Sequence, residues 1–124
     1  ASAWARWEGF MMTLFPDPPA VEAMTQDHSA LSIACIESYF THHKFFLEND
    51  EYVLDNAARM ANIPTRIVHG RYDTICPPAS AWQLHKALPL SKLYLIEDGA
   101  HSPLDGGLTA ALVAASVEFR DVGL

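Results

Sequence analysis

From Pro64 onward the chain alternates between two kinds of residue pattern, and that alternation limits the available folds more than any other feature. "TRIVHG" is a short apolar, β-branched run, "ASAWQLHKAL" has helical spacing, "SKLYLIED" is a second strand-like run, and "LDGGLTAALVAASVEFRDV" is again mostly helical. Strand, helix, strand, helix predicts an α/β fold in which two parallel strands are joined by a right-handed crossover. Two parallel strands bury little apolar surface and leave an unprotected edge, so the segment reads as part of a larger sheet.

Ligands of such sheets gather beyond the carboxyl ends of the strands. Asp73 follows the first strand in "IVHGRYDTICPP", and His101 follows the second in "EDGAHSP". Neighbouring parallel strands would bring the two loops side by side, with the two side chains within hydrogen-bond reach. A carboxylate bonded to one imidazole nitrogen fixes the tautomer and leaves the other nitrogen free to take a proton from a hydroxyl. Acid before base in chain order, with a serine ahead of both, is the order of the α/β-hydrolases. No GxSxG occurs among the 124 residues, so the nucleophile is absent from this chain.

Ahead of Ile63 the pattern is helical. Trp4, Trp7, Met11 and Leu14 recur at helical spacing behind Ser2, a candidate N-cap, and the prolines of "PDPP" are expected to stop that helix. Asp27 or Ser29 is expected to cap a longer helix running to about Lys44, and "DEYVLDNAARM" reads as a further helical segment closed by "NIP". The expected division is therefore a helical front, 1–63, and a β-α-β-α back, 64–124. The opening residues hold neither an initiator Met nor a basic leader and read as a start cut from within a longer protein.

Composition excludes several classes. A formal charge of −7 with only eight Lys and Arg argues against nucleic acid as a partner, which requires a concentrated basic face. No apolar run approaches the roughly 20 residues of a membrane span. Cys35 and Cys76 are far apart and lack CxxC spacing, which argues against a disulfide framework and favours a cytoplasmic location. His42 and His43 diverge on a helix and no HExxH occurs, so neither metal nor any other cofactor is expected.

The segments "WARWEG", "ACIESYF", "IPTRIVHGRYDTICPP", "AWQLHKALP" and "DGAHS" together resemble the proline iminopeptidases, serine aminopeptidases of the α/β-hydrolase fold. The resemblance runs from about Trp4 to Phe119 and is to the C-terminal portion of that family. It implies that 64–124 holds the last two parallel strands and helices of the hydrolase core, and that 1–63 is part of the helical cap over the active site. It further implies that Asp73 and His101 are the acid and base of a Ser-Asp-His triad. Glu8 and Glu37 match the two cap glutamates that hold the charged nitrogen of an N-terminal proline. Such a role suits carboxylates in a partly desolvated cleft, where charge-assisted hydrogen bonds are strong. Tyr39, Phe40 and Cys76 are candidates for the pocket wall, Cys76 being either a packed small hydrophobe or a pocket-lining thiol whose pKa a neighbouring carboxylate would raise.

The implied partners are a peptide beginning with proline and the N-terminal portion of the hydrolase, with a homo-oligomer as a further possibility. Two other readings stay open on the residues alone. Another α/β-hydrolase, an esterase or epoxide hydrolase, shares the Asp and His loops, but a neutral ester gives Glu8 and Glu37 no evident role. A catalytically silent fragment that folds only with a partner or as an oligomer accords with the missing GxSxG.

Overall fold

A computed structural model describes residues 1–121; Val122, expected at the end of the last helix, lies outside the described residues. The back of the chain is built as the alternation predicts. Strand β1 (Thr65–Gly70) and strand β2 (Ser91–Ile96) pair in parallel, with Thr65 opposite Ser91 and Gly70 opposite Ile96. Helix α5 (Pro78–Ala87) crosses between them and α6 (Leu108–Asp121) follows β2. Pro78 opens α5 at a position where its missing N–H costs nothing.

Side chains alternate across a strand, and the alternation separates the two layers. Ile67 and His69 share a cavity wall with Ala81 and Leu84 of α5. Arg66 and, on β2, Lys92 and Tyr94 meet Glu118 of α6. Helices thus cover both faces of the two-stranded sheet, a mixed α/β arrangement.

Glu118 is the tie between α6 and the sheet. It accepts from Arg66 Nε and Tyr94 Oη, each at 2.6 Å, and from Lys92 Nζ at 3.3 Å. The Tyr94 hydroxyl first, then Arg66 and Lys92, hold its carboxyl down from 4.5 to about 2. A depressed carboxyl stabilises the fold above its ordinary range, and the stabilisation is lost as the pH falls from 4.5 towards about 2. Glu118→Gln is therefore expected to lower the melting temperature at neutral pH and to flatten its decline in that acid window. Parallel acid titrations of melting temperature check this; identical curves would remove Glu118 as the tie.

The front is helical, with four differences from expectation. Helix α1 (Ser2–Met11) starts one residue earlier than a Ser2 cap would allow: Ala1 occupies the cap position and makes no side-chain cap bond. The proline cluster does not merely stop a helix; it starts one. Asp17 caps α2 (Pro18–Met24) by accepting from Ala20 N at 3.1 Å, and Pro18 takes the first helical position, where its fixed φ is preorganised. In helix α3 (Asp27–His42) Gln26 occupies the N-cap position without a side-chain cap bond, leaving Asp27 in the first turn, where its charge favours the helix dipole, and Ser29 inside. The segment expected as helical over 50–60 is α4 (Tyr52–Asp55) followed by a 3-10 turn, Ala57–Met60.

Between α3 and α4 the residues Lys44, Phe45 and Phe46 all have positive φ, 49°, 53° and 59°. Non-glycine residues enter that region at a cost of roughly 1–2 kcal/mol each. Rings of Tyr39, Phe40 and His43 pack on Phe46, with His43 and Phe46 stacked at 5.3 Å and 9°. This aromatic packing opposes the strain.

The core is made of small side chains. Ala5, Val21, Ala30 and Ala57 are buried in front, and Ala81, Leu88, Ala100, Leu108 and Ala115 behind. Larger apolar residues such as Trp7, Phe15, Trp82 and Val113 are exposed. Among the described residues no helix is long and apolar enough to cross a membrane.

Candidate functional site

Gly70, the last residue of β1, allows the two loops to meet. A Cβ there would lie 2.0 Å from the carbonyl oxygen of Ala100 and 2.7 Å from Gly99, so only glycine lets the loop after β2 approach this closely. Main-chain bonds continue the pairing past the strand ends: Arg71 N donates to Ile96 O at 2.9 Å and Tyr72 N to Gly99 O at 3.0 Å. Asp73 and His101 come together as a result.

Asp73 is buried, 6% exposed, yet both of its oxygens accept hydrogen bonds. Its Oδ1 accepts from Ile75 N at 3.0 Å and Cys76 N at 2.8 Å, and its Oδ2 lies 3.0 Å from His101 Nδ1. Bonds of this kind compensate the desolvation of a buried carboxylate. His69 lies on the other side, its Nε2 2.8 Å from Cys76 O and 3.5 Å from Asp73 Oδ2, and so braces the loop that carries the acid. With a carboxylate as acceptor, His101 Nδ1 must carry the proton, which leaves Nε2 with a lone pair. The imidazole is part-exposed, open to a substrate or a hydroxyl.

The front helices add a second acidic group. Glu8 on α1 lies against Glu37 on α3 and within electrostatic reach of His101. Burial first, then the hydrogen bond to and charge of Glu37, push the Glu8 carboxyl from 4.5 up to about 6, with His101 opposing. Glu8 Oε2 is buried and has no hydrogen-bond partner; a protonated Glu8 can donate to Glu37, but two ionised carboxylates cannot bond each other. Glu37 also accepts from the indole N–H of Trp4. A cation placed between Glu8 and Glu37 would satisfy both.

Between α1 and the Asp73 loop lies a cleft of about 470 Å³, with Phe10, Met11 and Leu14 on one wall and Tyr72, Asp73 and Thr74 on the other. Tyr39, Phe40 and Cys76 are not among its lining residues. Tyr39 and Phe40 lie in the aromatic cluster at the end of α3, their rings 6.1 Å apart. Cys76 is an exposed free thiol, so it is not the packed hydrophobe that one reading allowed; partial burial and then the charge of Asp73 raise its pKa. Among the described residues no group of three or more His, Cys, Asp or Glu is arranged to hold a metal ion.

Sequence reasoning missed Gly70, His69 and Trp4 as parts of this site. The first two lie within the "HGRYD" stretch already singled out, where a glycine ending a strand signals close backbone approach. Trp4 acts across the fold, and nothing local to it announces it.

No family model matches the chain. Among curated proteins it is 43% identical over 119 residues to a probable proline iminopeptidase of Leptolyngbya boryana, covering 96% of this chain. It is 38% identical over 120 residues to the proline iminopeptidase of Arabidopsis thaliana, covering 97% of this chain. The chain is homologous to part of the proline iminopeptidases. It spans 37% of the length of the Leptolyngbya boryana proline iminopeptidase and 32% of the Arabidopsis thaliana one. The proline iminopeptidase of Neisseria gonorrhoeae is 36% identical over 115 residues. The sequence resemblance is thus matched across several organisms and nearly all of this chain.

Proposed function

We propose that this chain is the C-terminal portion of a serine aminopeptidase that releases N-terminal proline from peptides. The observation that carries it is the placement of Glu8, itself against Glu37, within electrostatic reach of an imidazole already bonded to a buried Asp. On this reading 64–124 is the end of an α/β-hydrolase core and 1–63 part of its cap. The nucleophilic serine is supplied by sequence outside this chain, and the protein works in the cytoplasm, in accord with its two free cysteines.

His101 Nε2 takes the serine proton as Oγ bonds to the scissile carbonyl carbon, and Asp73 stabilises the imidazolium that forms. The same proton passes to the departing amine as the C–N bond breaks, leaving an acyl-enzyme. Water then repeats the sequence, its proton going to His101 and returning to serine Oγ as free proline leaves. Glu8 and Glu37 hold the imino nitrogen of the substrate, and the positive charge satisfies the donor-less Glu8 oxygen. An amine that is acylated carries no such charge and leaves the pair unsatisfied.

In the complete enzyme carrying this segment, Glu8→Gln or Glu37→Gln is expected to raise KM for proline para-nitroanilide by about tenfold or more, since a charged hydrogen bond contributes roughly 1.5–3 kcal/mol. Wild-type affinity is expected to improve as the pH rises through about 6, where Glu8 ionises, and Glu8→Gln to lose that limb. Steady-state kinetics against pH check both. Unchanged cleavage by either variant would refute the assignment of specificity.

A further inference from the structure

Four hydrogen bonds hold the segment after the Glu8 helix and the His101 loop in place, three crossing between the two and one inside the loop, and a single carboxylate makes one of each kind. Met12 O, just past the end of α1, accepts from His101 N at 3.0 Å and from Ser102 N at 2.7 Å. In return, Asp105 Oδ2 accepts from Leu14 N at 2.9 Å and from Ala100 N at 2.8 Å. Asp105 itself is set by the turn it occupies, its N–H donating to Ser102 O at 2.9 Å. One oxygen thus ties the residue before His101 to the segment that follows Glu8.

We infer that Asp105 is a positioning residue that fixes the distance between the amine site at Glu8 and the base at His101, and so sets which bond from the N-terminus is cut. The inference rests on the proline aminopeptidase reading. An enzyme that removes one residue must hold the amine and the scissile carbonyl at one separation, because an error of about 1 Å in a reacting group costs on the order of 10²-fold in rate. The amine end is carried by α1 and the reacting end by the loop after β2, two elements far apart in sequence. Their separation is set by whatever bonds join them, and Asp105 supplies the only side chain among these four bonds.

The test uses the complete enzyme and two substrates. Proline para-nitroanilide needs both ends of the ruler; para-nitrophenyl acetate, which has no amine, needs only the nucleophile and the dyad. Asp105→Ala is expected to lower kcat for the anilide by about tenfold or more while acetate turnover is little changed. Asp105→Asn, whose amide oxygen can take the place of Oδ2, is expected to restore the anilide rate. An equal fall on both substrates would show that Asp105 serves only the His101 loop and would overturn the inference, as would no fall on either. If Asp105→Ala does not fold, Asp105→Glu takes its place: a fall confined to the anilide supports the inference, and an equal fall on both substrates or none on either overturns it. A wild-type enzyme that hydrolyses the acetate but not the anilide would refute the proline reading before any variant is compared.

Discussion

Asp73→Asn in the complete enzyme is expected to lower kcat for a proline amide by about 10⁴-fold, with KM little changed. The size of the effect follows from which bonds the amide keeps. Its oxygen can stay at the Oδ1 position and accept from Ile75 N and Cys76 N, so the loop remains closed. Its NH2 then faces His101 Nδ1 where Oδ2 stood, 3.0 Å away. Two donors cannot share that contact, so the imidazole moves its proton to Nε2, the nitrogen that should accept from the serine. Stationary kinetics with an unchanged melting temperature would establish the tautomer as the cause. A loss of less than about tenfold would show that Asp73 is not the partner of the base.

Gly70→Ala is expected to cut kcat by on the order of 10²-fold and to cost about 1–3 kcal/mol of stability. The contact cannot be relieved by a rotamer, because the atoms a Cβ would strike belong to the backbone of Gly99 and Ala100. Either the strand end or the His101 loop must move by about an ångström, and both carry a member of the dyad. Denaturant melts and kinetics on one preparation separate the two losses. Wild-type kcat in a destabilised variant would show that the loops tolerate displacement.

The two substitutions act on features of unequal legibility. β1 was readable residue for residue in "TRIVHG", because a β-branched run bounded by proline and glycine needs no tertiary information. The meeting of Asp73 and His101 followed from parallel pairing, since both loops then leave the same end of the sheet. Gly70 was within view, but its reason lies in a carbonyl thirty residues away, visible only once the loops are placed. Asp105 is 91 positions from Leu14, and no spacing rule links a turn acid to a distant main-chain N–H. At the front, proline was read only as a helix breaker, whereas Pro18 behind Asp17 is a helix start. The left-handed turn at Lys44–Phe46 had no local signal at all, for its residues are neither Gly nor Asn; aromatic packing outweighs the backbone preference there.

The two main-chain bonds that extend the sheet beyond β1 and β2 affect the order of assembly. Because Arg71 and Tyr72 donate across to Ile96 and Gly99, and Met12 O and Asp105 hold the residues around His101, acid and imidazole are aligned by contacts made within this chain. On the proposed reading, the Asp73–His101 pair is set before any hydroxyl reaches it. Ordering the imidazole is then charged to the folding of this chain and not to the encounter with the nucleophile. The serine of that reading meets a fixed target, and only its own search remains.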